Sequence, residues 1–262
     1  MMRSDGPDSL LVIVPAFNEV GAIGAVVRAV HASVPGVPVL VIDDYSADDT
    51  IAAARQAGAE VLPLPHHRGL GGCVQAGYKL AFSLGFQYVI RVDGDGQHDA
   101  GDIPRILERL KTSGCEMVIG SRFVEPNGSS TGAARSLGIG FFRMVLRPIL
   151  GKKVYDPTSG FVGVNRRALA VFSRSFPLEY PEIEALVVLQ RRRFRFEEVP
   201  VKMLPRLTGR SSITARVSLY YMAHVLLGVF VNILKYDRRL HRSPGTQAKP
   251  GGPPVSRAGP GG

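Results

Sequence analysis

The chain has 262 residues, 45% of them hydrophobic and 21% charged, which suits one sizeable α/β domain and excludes wholesale disorder. Its net charge of +10, from 32 Lys plus Arg against 22 Asp plus Glu, calls for an anionic partner such as a phosphorylated substrate or an acidic membrane face. Nucleic acid is not expected, because much of the basic excess is spread over the runs 191–195 and 238–242 and the tail, with no interleaved stacking motif. Cys73 and Cys115 match no metal or redox spacing, and segment 1–9 is polar without a signal-peptide pattern, so a cytoplasmic setting is expected.

In chain order, the apolar, β-branched run 10–15 reads as a buried strand, and Asn18 or Glu19 then opens a helical pattern through Val30. Residues 37–42 form a second strand that stops at Asp43 and Asp44, followed by a short helix at 50–57. A strand at 60–64, a helix at 69–84 and a strand at 86–92 lead to Asp93 and Asp95. A helix at 103–111 and a strand at 116–119 continue the alternation, which predicts a mainly parallel sheet covered on both faces.

Later elements are less regular. The apolar stretch 137–150 carries Arg143 and Arg147 at helical spacing. Strands are expected at 159–164 and 197–203, with a helix at 181–190 between them. Residues 217–234 are the most apolar stretch and the tail from 242 is rich in Pro, Gly and Ser. The division expected is a flexible segment 1–9, a catalytic domain 10–212, a hydrophobic helix 213–241 and a disordered tail 242–262.

Ligands of open parallel sheets bind beyond the carboxyl ends of the strands. Three strands end there in polar residues: Asn18 and Glu19, Asp43 and Asp44, Asp93 and Asp95. Asp93 and Asp95, one residue apart with glycines between, can converge on a hard cation. Gln97 and His98 are candidates to complete its shell. Read alone, this motif also fits a solvated turn.

Four segments occur in order: Val14-Pro-Ala-Phe-Asn-Glu19, Asp43-Asp-Tyr-Ser46, Gly69-Leu-Gly-Gly72 with Gly77, and Asp93-Gly-Asp-Gly-Gln-His98. Over roughly residues 10–215 the chain resembles the inverting family 2 glycosyltransferases of GT-A fold. With Asp156-Pro-Thr-Ser-Gly-Phe161, Glu198-Val-Pro-Val201 and Arg206-Leu-Thr-Gly-Arg-Ser-Ser212, it is similar to their polyprenyl-phosphate branch. The resemblance implies a Rossmann-like α/β domain, a UDP- or GDP-sugar donor and Mg2+ or Mn2+ as cofactor. It implies a lipid phosphate acceptor at an anionic membrane surface. Pro15, Ala16, Asn18 and Glu19 would line the nucleotide pocket, with Asp43 on base or ribose and Asp44 beside it. Asp93 would sit by nucleotide and metal, and Asp95 and Gln97 would ligate the metal. Arg206 and Ser211 would meet a phosphate, as would Arg122. Two departures stand out: Tyr45 where the family usually has glycine, and His66-His67 in place of an Asn-x-Gly opening.

The chemical difficulty is negative charge building on a departing pyrophosphate, which a divalent ion and Arg206 would stabilise. A lipid phosphate acceptor is already anionic, whereas a sugar hydroxyl needs a carboxylate base, for which Asp156 is the candidate. Transfer to a saccharide or small hydroxylated acceptor is the alternative within enzymes, and a non-catalytic nucleotide-binding protein the alternative outside them. Residues 217–234, near the ~20 residues that cross a bilayer, fit a spanning helix, an interfacial helix or a helix packed on the domain or a dimer partner; peripheral association at the inner face of the cell membrane, with 137–150 alongside, is the expectation.

Overall fold

The computed structural model describes Gly6, residues 8–124 and residues 133–205. Arg206, Ser211, the apolar stretch 217–234 and the tail lie outside the described residues. The strands are β1 (Leu10–Ala16), β2 (Val39–Asp43), β3 (Glu60–Pro63), β4 (Tyr88–Arg91), β5 (Met117–Ser121), β6 (Val162–Asn165) and β7 (Phe196–Pro200). Between them run α1 (Ile23–Ser33), α2 (Thr50–Gln56), α3 (Gly69–Ser83), α4 (Ile103–Thr112), α5 (Ala133–Leu150), α6 (Arg166–Phe172) and α7 (Pro181–Arg191).

The seven strands form one sheet in the order β3-β2-β1-β4-β6-β5-β7. All pairings are parallel except those of β6, which runs antiparallel to both β4 and β5. The mainly parallel sheet expected from the alternation is therefore present, with one reversed strand in its middle. That reversal follows from connectivity. The chain leaves β5, passes through α5 and re-enters the sheet between β4 and β5 from the same end at which it left.

The two faces sort by the two-residue period of a strand. Leu11 and Ile13 of β1, with Leu40 and Ile42 of β2, pack beneath α3, α5, α6 and α7. Val12 and Val14, with Val39 and Val41, pack beneath α1, α2 and α4. Burial on both faces explains why these strands read as unbroken apolar runs. At Gly71, in the first turn of α3, any Cβ would run into the backbone of Leu178, so this glycine lets the 176–181 segment cross the start of α3. Parallel β1, β2 and β4 bring their carboxyl ends, at Ala16, Asp43 and Arg91, to one edge of the sheet.

Candidate active site

At that edge a cavity of about 360 Å3 opens, lined by Pro15 and Ala16 at the end of β1, Glu19 beyond it, Asp44 after β2, and Asp93 and Asp95 after β4. These are six of the sequence-predicted residues, drawn together by strand direction alone. Asn18 serves differently. Its Oδ1 accepts the Ala47 N–H at 2.8 Å, its own N–H donates to Ser46 Oγ at 2.9 Å, and its φ of 54° sets the turn. It braces the β1 loop against the β2 loop. Asp48 and Thr50 extend the brace, accepting the N–H groups of Val20 and Glu19.

The two aspartates after β2 also divide their work. Asp44, 3% exposed, accepts the Arg68 and Gly69 N–H groups at 2.6 and 2.8 Å, and His67 Nδ1 lies 2.9 Å from its Oδ2. Both oxygens thus hold the start of α3 in place. Asp43, 1% exposed, takes the Ser46 N–H on Oδ2, while its Oδ1 is the single buried side-chain polar atom among the described residues without a partner. A buried, unsatisfied acceptor costs about 1–3 kcal/mol and marks a place where a ligand N–H or hydroxyl would bind. Directly after them, Tyr45 adopts φ 66° and is 62% exposed, so the glycine usual at this position has a conformational reason.

Behind Asp93 lies an ion-pair chain that the sequence does not announce. Arg91, 4% exposed at its side chain, donates from Nε and Nη2 to Asp93 Oδ1 and pairs through Nη1 with Glu182 of α7 at 2.8 Å. Burial opposes the charge on Arg91, but Asp93 and Glu182 more than offset it and hold the guanidinium charged. For Asp93, burial alone would raise the proton affinity. Arg91, with Arg122, outweighs burial and holds the carboxyl below its ordinary value. Asp93 is therefore an anion with one oxygen committed. Gly160 makes room for the pair, since a Cβ there would collide with Asp93 Oδ2 and lie 2.7 Å from Arg91 Nη2.

His98 does not join the cation shell envisaged for it. Its Nδ1 accepts the Asp93 backbone N–H at 3.1 Å, and its ring stacks on Phe161 with centroids 5.0 Å apart. Burial pushes its proton affinity below that of free imidazole, against the pull of Asp93, so the ring is neutral. Gln97 donates its N–H to Asp95 Oδ1 at 3.0 Å and is tied by its carbonyl to Leu204, which fixes the turn around Asp95.

No cluster of three or more His, Cys, Asp or Glu side chains able to hold a metal exists among the described residues. Two oxygen-bearing carboxylates beside an open cavity still fit a hard divalent cation of the kind that takes its remaining ligands from substrate phosphates and water. They do not fit a closed protein cage.

Asp156 and Arg122 stand apart from this group. Asp156 is fully buried, and its oxygens take Arg122 Nε and Nη2 at 2.6 Å each, together with the Arg122 N–H at 3.1 Å. Its backbone N–H, with that of Tyr155, donates to Glu198, whose carboxyl burial pushes above its ordinary value. A carboxylate sealed in this way does not suit the general-base role expected of Asp156. Arg122 is likewise spent on Asp156 and Thr158, although its charge still reaches Asp93. Arg91 and Glu182 are the residues that sequence reasoning missed, and Glu198, quoted there within a motif, was given no role. Arg91 directly precedes the Val92-Asp93 motif, a buried-strand position where an arginine demands partners, and that was the available signal.

Comparison with known proteins agrees with this geometry. Residues 11–172 match the family model described as glycosyl transferase family 2. The chain is 28% identical over 221 residues to the undecaprenyl-phosphate mannosyltransferase of Micrococcus luteus, covering 79% of this chain and 88% of that one. It is 28% identical over 218 residues to a UDP-N-acetylglucosamine–dolichyl-phosphate N-acetylglucosaminyltransferase of Methanococcus voltae, covering 74% and 85%. Among solved structures, glucosyl-3-phosphoglycerate synthase of Mycobacterium tuberculosis superposes with a TM-score of 0.66 at 22% identity, over 86% of this chain and 80% of that one. That similarity establishes the GT-A fold which the sequence motifs imply. With more than half its length matched by the family model and its acids gathered at one sheet edge, this chain belongs to glycosyltransferase family 2.

Proposed function

We propose that the protein transfers a sugar, with inversion, from a UDP- or GDP-sugar to a polyprenyl phosphate at the inner face of an anionic membrane, with Mg2+ or Mn2+ bound at Asp95, Asp93 and Gln97. The carrying observation is the arrangement of Asp93: one oxygen is fixed by buried Arg91, and the side chain, still 31% exposed, lines the cavity beside Asp95. The bound cation would neutralise charge on the departing diphosphate. Asp95 and Gln97 would hold it, while Arg91 keeps Asp93 ionised and oriented. Pro15, Ala16 and Glu19 form the cavity wall against the nucleoside, and the unpartnered Oδ1 of Asp43 supplies an acceptor one residue from that wall. Arg206 and Ser211, outside the described residues, are assigned to a phosphate.

The acceptor assignment has its own support. An anionic lipid phosphate needs no base, and Asp156, the carboxylate named for a hydroxyl acceptor, has both oxygens engaged by Arg122. The two relatives named above carry undecaprenyl-phosphate and dolichyl-phosphate in their names. No helix among the described residues is long and apolar enough to cross a membrane. On α5, Phe142, Leu146 and Leu150 are buried while Met144 is 67% exposed and Arg147 also faces outward, which suits a peripheral contact with anionic lipid. The segment 213–241 is assigned to that contact or to a homodimer.

A donor screen with Mg2+ or Mn2+ and undecaprenyl phosphate tests the proposal, following both nucleoside diphosphate release and lipid-linked product. Metal-dependent product, reduced by at least ~10³-fold in Asp95→Ala, is the expected result. Release only with a saccharide acceptor would overturn the acceptor assignment. Tight nucleotide binding with no turnover for any donor would overturn the catalytic one.

A further inference from the structure

His67 replaces the residue usual at its position, and its surroundings give it a defined polarity. Its Nδ1 lies 2.9 Å from Asp44 Oδ2 and 3.3 Å from the Asp44 carbonyl oxygen. Both are acceptors, so Nδ1 carries a proton and donates. In the neutral ring this leaves Nε2, across the imidazole, as a bare acceptor. No partner for Nε2 exists among the described residues. The ring is held on a second side by Phe17, whose centroid is 4.6 Å away. His67 and Phe17 both line the 360 Å3 cavity, and His67 also lines an adjoining space of about 610 Å3 toward Leu178 and Glu179. More than half of its side chain is exposed, so a ligand can reach it.

A ring whose tautomer is fixed by a buried carboxylate, with its free lone pair on a cavity wall, is a reader of N–H groups. Uracil and guanine both present an N–H on their pairing edges, whereas a diphosphate presents only acceptors. We propose that His67 Nε2 accepts a hydrogen bond from the donor's nucleobase, making His67 a base-recognition residue of this chain. The inference rests on the reading of the cavity as a nucleotide site.

Charged and titratable groups face His67 from every side. Asp44 after β2 touches it, and Glu19, Asp93 and Asp95 share its cavity from β1 and β4. Cys73 of α3 also lines that cavity, its thiol kept neutral by burial and by Asp44. Glu179 and Glu182 stand across the adjoining space, and His66 and Arg68 flank it in the chain. His66 is the other imidazole here, and its Nε2 lies 3.2 Å from Arg68 Nη1. His66→Asn is therefore the control for the neighbouring imidazole.

Binding of UDP, GDP and inorganic pyrophosphate is measured calorimetrically in Mg2+ buffer at pH 8, with thermal midpoints alongside. His67→Ala should bind UDP and GDP about 5- to 10-fold more weakly than wild type and pyrophosphate equally well. His67→Asn, whose amide oxygen can accept in place of Nε2, should recover nucleotide affinity to within about 2-fold. His66→Asn should follow the wild type throughout. An equal loss for pyrophosphate would show that His67 meets phosphate or merely shapes the loop, and would overturn the inference. So would nucleotide binding indifferent to His67→Ala. Wild-type protein that binds neither nucleotide would overturn both this inference and the nucleotide site beneath it.

Discussion

Asp93 and Asp156 are the same residue type in the same kind of place, each paired with a buried arginine, and they do opposite things. Arg91 takes one oxygen of Asp93 and leaves a side chain 31% exposed on a cavity wall. Arg122 takes both oxygens of Asp156, which has no exposure at all. The first pairing tunes a carboxylate and leaves it open to a ligand. The second makes a strut between the end of β5 and the 155–160 segment, completed by Glu198 beneath the backbone of Tyr155 and Asp156. An arginine-paired acid is thus functional or structural according to how many of its oxygens the protein itself consumes.

Exchanging each acid for its amide breaks this comparison most sharply. Asp156→Asn leaves Arg122 buried without its counter-charge, and removing one partner of a sealed pair costs about 3–5 kcal/mol. A urea titration should show that loss. Asp93→Asn keeps an oxygen for Arg91 and sits at a partly solvated site, so its stability cost should be roughly 1 kcal/mol. Nucleotide binding in Mg2+ should nonetheless fall at least ~10-fold. Equal stability losses would mean that both pairs are struts.

Gly160 tests the packing between the two systems. A methyl there displaces Asp93 Oδ2, on a carboxylate whose Oδ1 Arg91 already holds, and Arg91 Nη2, which makes that ion pair. Gly160→Ala should cost about 2–3 kcal/mol by overpacking and should weaken nucleotide binding with it. Unchanged binding would show that Asp93 can re-aim without harm.

How much of this was legible beforehand follows from sequence distance. β1 and β2 read correctly because burial on both faces leaves unbroken apolar runs, and their polar stops mark the cavity edge. Helix α6 was missed. It is short, begins with Arg166 and Arg167, and its signal was Asn165, whose side chain accepts the N–H groups of Arg167 and Ala168 as an N-cap. The reversal of β6 has no local signature, because strand direction is set by where the chain re-enters the sheet. The roles of Asp44 and Asp156 were hidden for a related reason. Their partners lie 24 and 34 residues away, and only the folded chain shows their oxygens already taken.

The pH dependence of stability extends the comparison to His98, which caps the Asp93 N–H in its neutral form. Burial lowers its folded proton affinity, so the unfolded chain binds the extra proton first as pH falls. The sign is then fixed: stability should decline below about pH 6.5, by up to ~1.4 kcal/mol per pH unit for this one group. His98→Gln, which does not titrate, should flatten the decline between pH 6.5 and pH 5 even if it lowers stability overall. A decline of the same slope in the variant would assign it to other groups.

The smallest effect concerns Tyr45, in the turn between Asp43 and the helix that follows. At φ 66° a side chain with a Cβ pays roughly 1–2 kcal/mol of steric strain, and Tyr45, 62% exposed, has little burial to offset it. Glycine removes the strain but gives the unfolded chain more freedom, which returns most of that amount. Tyr45→Gly should therefore change stability by no more than about 1 kcal/mol, toward stabilisation, while Tyr45→Ala, which keeps the strain and loses the ring, should not stabilise. The comparison between those two variants separates backbone from side chain. If both destabilise by similar amounts, the exposed ring has packing value at the mouth of the turn. If glycine alone gains, the tyrosine is tolerated against its backbone, and a contribution to ligand binding is what nucleotide titration of the same two variants would then reveal.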